Sequence, residues 1–447
     1  MSAALIVLAA GQGSRMLSDR PKVLHEIGNA PMLAHALGTA DALAPERTVV
    51  VVGHGGEAVA DALTAIAPEA DVVWQKEQLG TGHAVLQARA ALDKFDGDAF
   101  VLFGDTPFIT AETLARMDTA RKDGADLVVL GFESDDPARY GRLVTDGDAL
   151  LKIVEWKDAT ETERAIRLCN SGLMCMPAKM LFELLERVDT GNAAGEVYLT
   201  DVAGLAVARG LTAKVVLCAE AETQGINTRA DLAAAEAAFQ TQSRVRALEA
   251  GVTLVAPDTV HFSLDTHLGR DSHVEPYVVF GPGVTVESGA TIRAFSHLEG
   301  AHVSNGAVVG PYARLRPGAE LAEGVRVGNF VEVKNAQVAE GAKINHLSYV
   351  GDASIGRATN IGAGTITCNY DGVMKHRTEI GARVFIGSNT MLVAPITVGD
   401  DAMTATGTVV TRDVPATAMA IGRAPQENKQ GLATRLFERL RAIKKKK

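Results

Sequence analysis

The sequence predicts an α/β domain followed by a left-handed parallel β-helix. Three observations carry this. Short apolar runs alternate with helical patterns over residues 1–230; helical periodicity vanishes from about residue 251; and aliphatic residues then recur every six positions. At 447 residues the chain is too long for one ordinary domain.

In the first segment ALIVLAA (4–10), RTVVVVG (47–53), DAFVLFG (98–104) and ADLVVLG (125–131) read as buried parallel strands. Helix-like stretches such as MLAHALGTADAL (32–43) and GHAVLQARAAL (82–92) lie between them. This is the βαβ pattern of an open sheet, whose active-site residues gather at the carboxyl ends of strands. The expected organisation is a domain over 1–229, an Ala-rich connecting helix over 230–250, and a repeat domain with its tail over 251–447.

In the repeat domain Val303, Val309, Leu315, Leu321, Val327 and Val333 form an unbroken six-step series. Val338, Ile344 and Val350 form a second, and Ile380, Ile386, Leu392 and Val398 a third. Small or aliphatic residues sit two positions before each member of the first series, from Ala301 to Val331. Such a hexapeptide repeat describes a triangular prism with about three six-residue faces per coil, aliphatic side chains inward and small residues at the corners. The left hand comes from association of this repeat with that architecture. Five-residue steps at Val333–Val338 and Val350–Ile355, and an insertion over 363–379, interrupt the array. Interruptions of a solenoid are where a loop can leave the surface and line a site.

The formal net charge of −10 argues against non-specific nucleic-acid binding. Only Lys444 to Lys447 form a basic run, which an ordinary solubilising tail explains. Four scattered cysteines suggest neither a disulfide framework nor a zinc cluster. The apolar stretch at residues 2–10 runs into a glycine turn and reads as a strand rather than a signal peptide. With no apolar run long enough to span a membrane, a cytoplasmic protein without membrane insertion is expected.

LAAGQGSRM (8–16) follows a strand and is expected to precede a helix, where backbone N–H groups can meet phosphates. A purely structural turn competes with that reading, since neither a Walker sequence nor a full dinucleotide fingerprint is present. Arg15 and Lys22 are two cations suited to a triphosphate. Asp105, in FGDTP (103–107), sits just past an apolar strand and is either a metal ligand or a helix cap. Asn227, in QGINTRADL (224–232), offers a neutral oxygen beside it, a pair suited to Mg²⁺. QLGTGHA (78–84) is a second Gly/Thr turn able to read a base edge or a phosphate, and Gly141, Glu155 and Asn170 lie in short polar punctuations. In KINHLSYVG (343–351), His346 is a candidate general base near neutral pH, or a surface histidine.

LAAGQGSRM…PKVLH, QLGTGHA, FGDTP and GINTR, followed by the hexapeptide array, resemble the bacterial family of bifunctional N-acetylglucosamine-1-phosphate uridyltransferase/glucosamine-1-phosphate acetyltransferases over nearly the whole chain. The resemblance implies a Rossmann-like nucleotidyltransferase (pyrophosphorylase) domain and a β-helix acetyltransferase domain. It implies acetyl transfer from acetyl-CoA to glucosamine 1-phosphate, then uridylyl transfer from UTP with release of pyrophosphate. In its terms Leu8, Ala9, Ala10, Gly11, Gln75, Gly80, Thr81, Phe103 and Gly104 surround the uridine nucleotide, and Arg15 and Lys22 face its phosphates. Asp105 and Asn227 hold Mg²⁺, and Gly141, Glu155, Asn170 and Asn227 surround the sugar.

In the second domain the resemblance makes His346 the base and assigns Arg316, Lys334, Tyr349 and Asn360 to the acceptor sugar phosphate. Ala363, Asn369, Tyr370, Ser388, Thr406 and Arg423 match acetyl-CoA positions, and Lys375 is expected to reach a neighbouring chain's site. Gln12, Ser14 and Thr406 depart from Lys, Thr and Ala in relatives. The resemblance also implies a homotrimer through the β-helix. A nucleotidyltransferase with a merely structural β-helix is the main rival, and a non-enzymatic assembly protein the second. The first leaves Lys334, His346, Tyr349 and Asn360 unexplained; the second leaves Lys22, Asp105 and Asn227 so.

Overall fold

A computed structural model describes residues 2–446. Lys447, the last of the four terminal lysines, lies outside the described residues, as does Met1. Two compact units divide between Gln240 and Thr241.

The first unit is built on a nine-stranded sheet. Its strands are β1 (Ala3–Ala9), β2 (Arg47–Val52), β3 (Asp71–Trp74), β4 (Asp98–Phe103), β5 (Leu127–Glu133), β6 (Arg142–Asp146), β7 (Ala149–Val154), β8 (Leu168–Pro177) and β9 (Ala213–Leu217), in spatial order β3-β2-β1-β4-β8-β5-β9-β7-β6. β1 is parallel to β2 and β4, with Leu5 opposite Thr48 and Phe100. The ten-residue β8 runs antiparallel between β4 and β5, so those two point the same way without pairing.

Every residue of β1 is buried. Ala4, Ile6 and Leu8 enter one core and Leu5, Val7 and Ala9 the other, as the pleat dictates for a strand covered on both faces. α1 (Met32–Ala40) and α4 (Ala111–Lys122) cover the second core; α6 (Ala178–Leu185) and α7 (Asp201–Ala208) cover the first; α2 (Gly56–Ile66) and the short α3 (Thr81–Leu86) and α5 (Glu161–Arg164) complete the set. The helix expected over 82–92 stops at Leu86 and continues as tighter turns, with Ala88 bonded to Val85 and Arg89 to Leu86. α8 (Arg229–Glu249) is the long Ala-rich helix.

The second unit is a parallel β-helix. One face is a ten-stranded sheet running from Thr253–Leu254 to Met419–Ala420. Register fixes the coil length: Val309 pairs with Val327, eighteen residues on, and Val327 with Ile344, seventeen on. The predicted six-step residues Val303, Val309, Leu315, Leu321, Val327 and Val333 are all buried, and so are Ala301, Ala307, Ala313 and Ala319.

The other two faces join into one fourteen-stranded sheet because Glu332–Val338 and Tyr349–Ile355 each run across a corner. Both five-residue steps fall there, and neither releases a loop. Asn335 and Asp352 turn the corner in the left-handed region, φ 45° and 49°. The insertion does leave the prism: Asn369–Arg377 forms a small hairpin bridged at Tyr370 and Lys375, and the coil from Ile361 to Ile386 is twenty-five residues long.

A second corner carries Tyr277, Phe295, Tyr312 and Phe330, again left-handed, φ 55–60°. Their rings stack at 5.0, 4.8 and 5.3 Å, and Leu347 takes the next place in the column. All five are exposed on the single chain. The last helix, α9 (Leu432–Lys444), has no buried residue.

Candidate active sites

The first site lies at the carboxyl ends of β1 and β4. Gly13 takes φ 60°, and a Cβ there would stand 2.7 Å from the Lys22 Cβ, so the loop can lie against Lys22 only with glycine. The helix expected after this loop is a single 3-10 turn, Ser14–Met16, because Gly13 and Leu17 are both left-handed and end it on either side. The loop's positive charge therefore comes from side chains.

Lys22 Nζ stands 2.5 Å from Asp105 Oδ2 and 2.7 Å from Asn227 Oδ1, and Arg15 Nη2 is 2.8 Å from the same Asn227 oxygen. Asp105 arrives two residues past the end of β4. Asn227 arrives from the turn that starts α8, where Asp231 Oδ2 accepts the N–H groups of Asn227 and Thr228 at 3.0 and 2.9 Å. Burial works to raise the Asp231 carboxyl, but these bonds outweigh it and hold the group below its usual range. Arg229 ties the turn to the first loop: its Nε donates to the Met16 carbonyl at 3.1 Å, and its Nη1 lies 3.2 Å from His25 Nδ1. Burial, then the Arg229 charge, push His25 below its ordinary value, which keeps the ring neutral and able to accept.

A cavity of about 410 Å³ opens here, lined by the expected Leu8, Ala9, Ala10, Gly11, Arg15, Lys22, Gln75, Gly80, Thr81, Phe103, Asp105 and Asn227. Gly104 stands behind it, its N–H bonded to the Leu8 carbonyl at 3.0 Å. Gln75 Nε2 donates to the Gly80 carbonyl at 3.0 Å, and Gln78 Nε2 to the Ala10 carbonyl at 3.0 Å. Gly141, Glu155 and Asn170 are not on this wall. Asn170 N–H donates to the Gly141 carbonyl at 2.9 Å, and Glu155 Oε1 accepts from the Thr200 hydroxyl at 3.1 Å. Burial pushes the Glu155 carboxyl up, against that hydrogen bond. Gly172, beside Asn170, packs against the Phe103 ring and links this strand to the cavity wall.

Among the described residues no cluster of three or more His, Cys, Asp or Glu is set to hold a metal. The Asp105 carboxylate oxygen and the Asn227 carboxamide oxygen nevertheless converge on one point, held in this structure by the Lys22 ammonium. That donor set suits Mg²⁺, which takes few protein ligands and draws the rest from phosphates and water.

The second site surrounds the corner after His346. Arg316 and Lys334 occupy equivalent places in successive coils, since Leu315 pairs with Val333. Tyr349 follows on the next coil, its phenol lying over Gly351, where a Cβ would meet it at 2.3 Å. Asn360 lies on the His346 sheet, opposite Lys343. Thus Arg316, Lys334 and Tyr349 stand on one face and His346 and Asn360 on another, with Leu347 and Ser348 between. His346 Nδ1 is 2.9 Å from Asn329 Oδ1; with that oxygen accepting, Nδ1 holds the proton and Nε2 keeps its lone pair.

Register also stacks His346, Ala363, Ser388 and Thr406 in four consecutive coils, because Ile344, Ile361 and Ile386 pair in turn and Phe385 pairs with Met403. Three coil spacings span about 14 Å. Arg423 closes onto the Thr406 carbonyl. Asn369 lies inward of the hairpin, bonded to Asp352 and 3.5 Å from the Tyr349 phenol, whereas Tyr370 points out and donates to the Gly372 carbonyl.

Lys375, expected at a neighbouring chain, faces Lys334 and Asp352 of its own, and the Lys334 charge pushes it down. Asp352 is the hub here: Asn335 Nδ2 donates to it at 2.6 Å and Lys334 Nζ is 3.7 Å away. Burial works to raise this carboxyl, but the bonds from Asn335 and Asn369 and the Lys334 charge hold it below its usual range. Sequence reasoning missed Asp352, Asn329 and Gln78. The first sits at a repeat slip and Gln78 in a quoted turn, which were available signals; Asn329 is recognisable only once register is known.

A model of the MobA-like NTP transferase domain matches residues 5–197. Proteins called Bifunctional protein GlmU align over the whole chain. That of Ruegeria sp. is 67% identical over 444 residues, covering 99% of each chain. That of Dinoroseobacter shibae is 66% identical over 447, covering all of this chain and 99% of its own. That of Jannaschia sp. is 64% identical over 441, covering 99% and 97%. The chain belongs to the bifunctional GlmU family. As a GlmU-family enzyme it acetylates glucosamine 1-phosphate from acetyl-CoA and transfers uridylyl from UTP to N-acetylglucosamine 1-phosphate, releasing pyrophosphate. The GlmU alignments run through both units. No helix among the described residues is long and apolar enough to cross a membrane.

Proposed function

We propose that the two reactions run at the two sites just described, within the domains 1–229 and 251–447 joined by the 230–250 helix. The convergence of Lys22, Asp105 and Asn227 at the mouth of one nucleotide-sized cavity carries the first half of this reading. A phosphate oxygen of N-acetylglucosamine 1-phosphate attacks the α-phosphorus of UTP and pyrophosphate leaves, so no protein nucleophile is needed. Arg15 and Lys22 neutralise charge on the phosphates as it shifts toward the leaving group. Leu8 to Gly11, Gln75, Gly80, Thr81, Phe103 and Gly104 position the nucleotide, while Gly141, Glu155 and Asn170 receive the sugar. Asp105 and Asn227 hold Mg²⁺, which when bound supplies charge stabilisation at phosphate oxygens.

At the second site Arg316, Lys334, Tyr349 and Asn360 bind the acceptor sugar phosphate. His346 Nε2 takes a proton from the glucosamine amine as its nitrogen attacks the thioester carbonyl, and the coenzyme A thiolate leaves. Asn329 keeps Nδ1 protonated, which aims Nε2 outward. Ala363, Ser388, Thr406 and Arg423, with Asn369 and Tyr370 of the hairpin, form the acetyl-CoA track; its column of coil positions suits an extended thioester arm. The chains associate as cytoplasmic homotrimers through the β-helix. The exposed aromatic column beside His346 supports that, since contiguous apolar surface next to a half-open site is what a second copy covers.

One experiment tests the division. The enzyme is given glucosamine 1-phosphate, acetyl-CoA, UTP and Mg²⁺, and thiol and pyrophosphate are followed separately. His346→Ala abolishes thiol release yet still makes pyrophosphate from supplied N-acetylglucosamine 1-phosphate; Asp105→Ala does the reverse. Loss of both products in either folded variant would overturn independent sites.

A further inference from the structure

None of the residues placed at either site lies on the terminal helix α9. Every residue from Gly422 to Lys446 is exposed, and α9 side chains make no hydrogen bond or ion pair among the described residues. Its sequence is nevertheless ordered by face. At 100° per residue, Leu432, Ile443, Leu436, Leu440, Ala433 and Phe437 fall in one arc of about 140°. Arg435 and Arg439 flank that arc on one side and Arg441 on the other; Lys444, in the last turn, falls within it, and the single acid, Glu438, lies on the far face. Lys445, Lys446 and Lys447 follow in sequence. Seven cations against one carboxylate from residue 432 onward stand in a chain whose formal charge is −10.

The geometry points to α9 as an interfacial helix that docks the enzyme on an anionic lipid surface. An apolar arc bordered by cations on both flanks, with its acid opposite, matches a plane that is apolar below and negatively charged at the rim. Nucleic acid would take the cations and leave Leu436, Phe437 and Leu440 in water. A groove on a second copy would bury the arc but gives no use to cations on both borders and to the lysines beyond. The helix lies in the surface and does not cross it: thirteen residues are too few to span.

The test uses the full chain and sedimentation with vesicles. Vesicles of phosphatidylcholine mixed with phosphatidylglycerol carry the protein down at low salt, and pure phosphatidylcholine does not. Leu436→Glu with Leu440→Glu lowers the apparent partition coefficient at least about tenfold, leaving acetyl and uridylyl transfer unchanged. Arg435→Gln with Arg439→Gln removes the preference for anionic vesicles, and raised salt releases the wild-type protein. Absence of wild-type binding, or equal binding by the leucine variant, overturns the proposal. So does a leucine variant that changes the oligomeric state measured by analytical ultracentrifugation, which would place the apolar arc between chains.

Discussion

Arg229 shows how much a positioning side chain can do without meeting substrate. Its guanidinium joins the Met16 carbonyl and His25 to the turn that carries Asn227, so three separate loops share one cation. Arg229→Ala is expected to lower kcat/KM for uridylyl transfer about tenfold, equivalent to ~1.4 kcal/mol, with acetyl transfer unaffected. Lysine should recover little, because one ammonium cannot reproduce two directed contacts from a planar fork. A full-rate alanine variant would remove the role. Asp352 is the counterpart in the β-helix. Its folded pKa lies below its unfolded one, so its contribution is present above about pH 4 and fades as pH falls through the folded value. In acid-unfolding curves the gap between wild type and Asp352→Asn should therefore close below about pH 4. A gap that widens there would contradict the sign.

For the elements, coil register decides which residues matter. Ile344 is fully buried in the prism while its neighbour Lys343 is exposed. Ile344→Ala should cost about 2–5 kcal/mol in chemical denaturation of the β-helix, and Lys343→Ala under about 0.5 kcal/mol. Similar losses for the two would mean the inward assignment is wrong. This register was legible in advance, because a six-residue period keeps one face dry along the whole array. The corners at Asn335 and Asp352 were not: a missing residue reads the same whether the chain ejects a loop or tightens a turn. Likewise the glycine loop announced a turn after a strand, but not that Leu17 would turn left-handed and stop a helix after one turn.

Over the whole molecule, local signals named most of the parts, and pairing between distant segments supplied the rest. Apolar runs identified β1, β2, β4 and β5, yet nothing in them indicates that β8 enters antiparallel between β4 and β5. The column of His346, Ala363, Ser388 and Thr406 likewise needs a coil count that the insertion obscures. The cysteines give a prediction at this scale. Burial pushes Cys218 up to about 12, Cys175 well above its ordinary value, and Cys169 and Cys368 upward. The native protein should thus react slowly with a thiol reagent at pH 8 and quickly once unfolded, so that a thiol assay reads coenzyme A. Rapid labelling of all four in native protein would refute it.

The twenty-five-residue coil bears on how such an enzyme can change over time. Ile361 and Ile386 still pair as though nothing lay between them, so the seven extra residues widen one turn without altering its height. A β-helix can therefore acquire new chemistry sideways, as a lateral outgrowth, while the vertical stack keeps its spacing. Descendants with longer, shorter or differently charged hairpins at this coil would inherit an undisturbed spine. Innovation in the lineage should collect at that single outgrowth, and the coils above and below it should stay conservative.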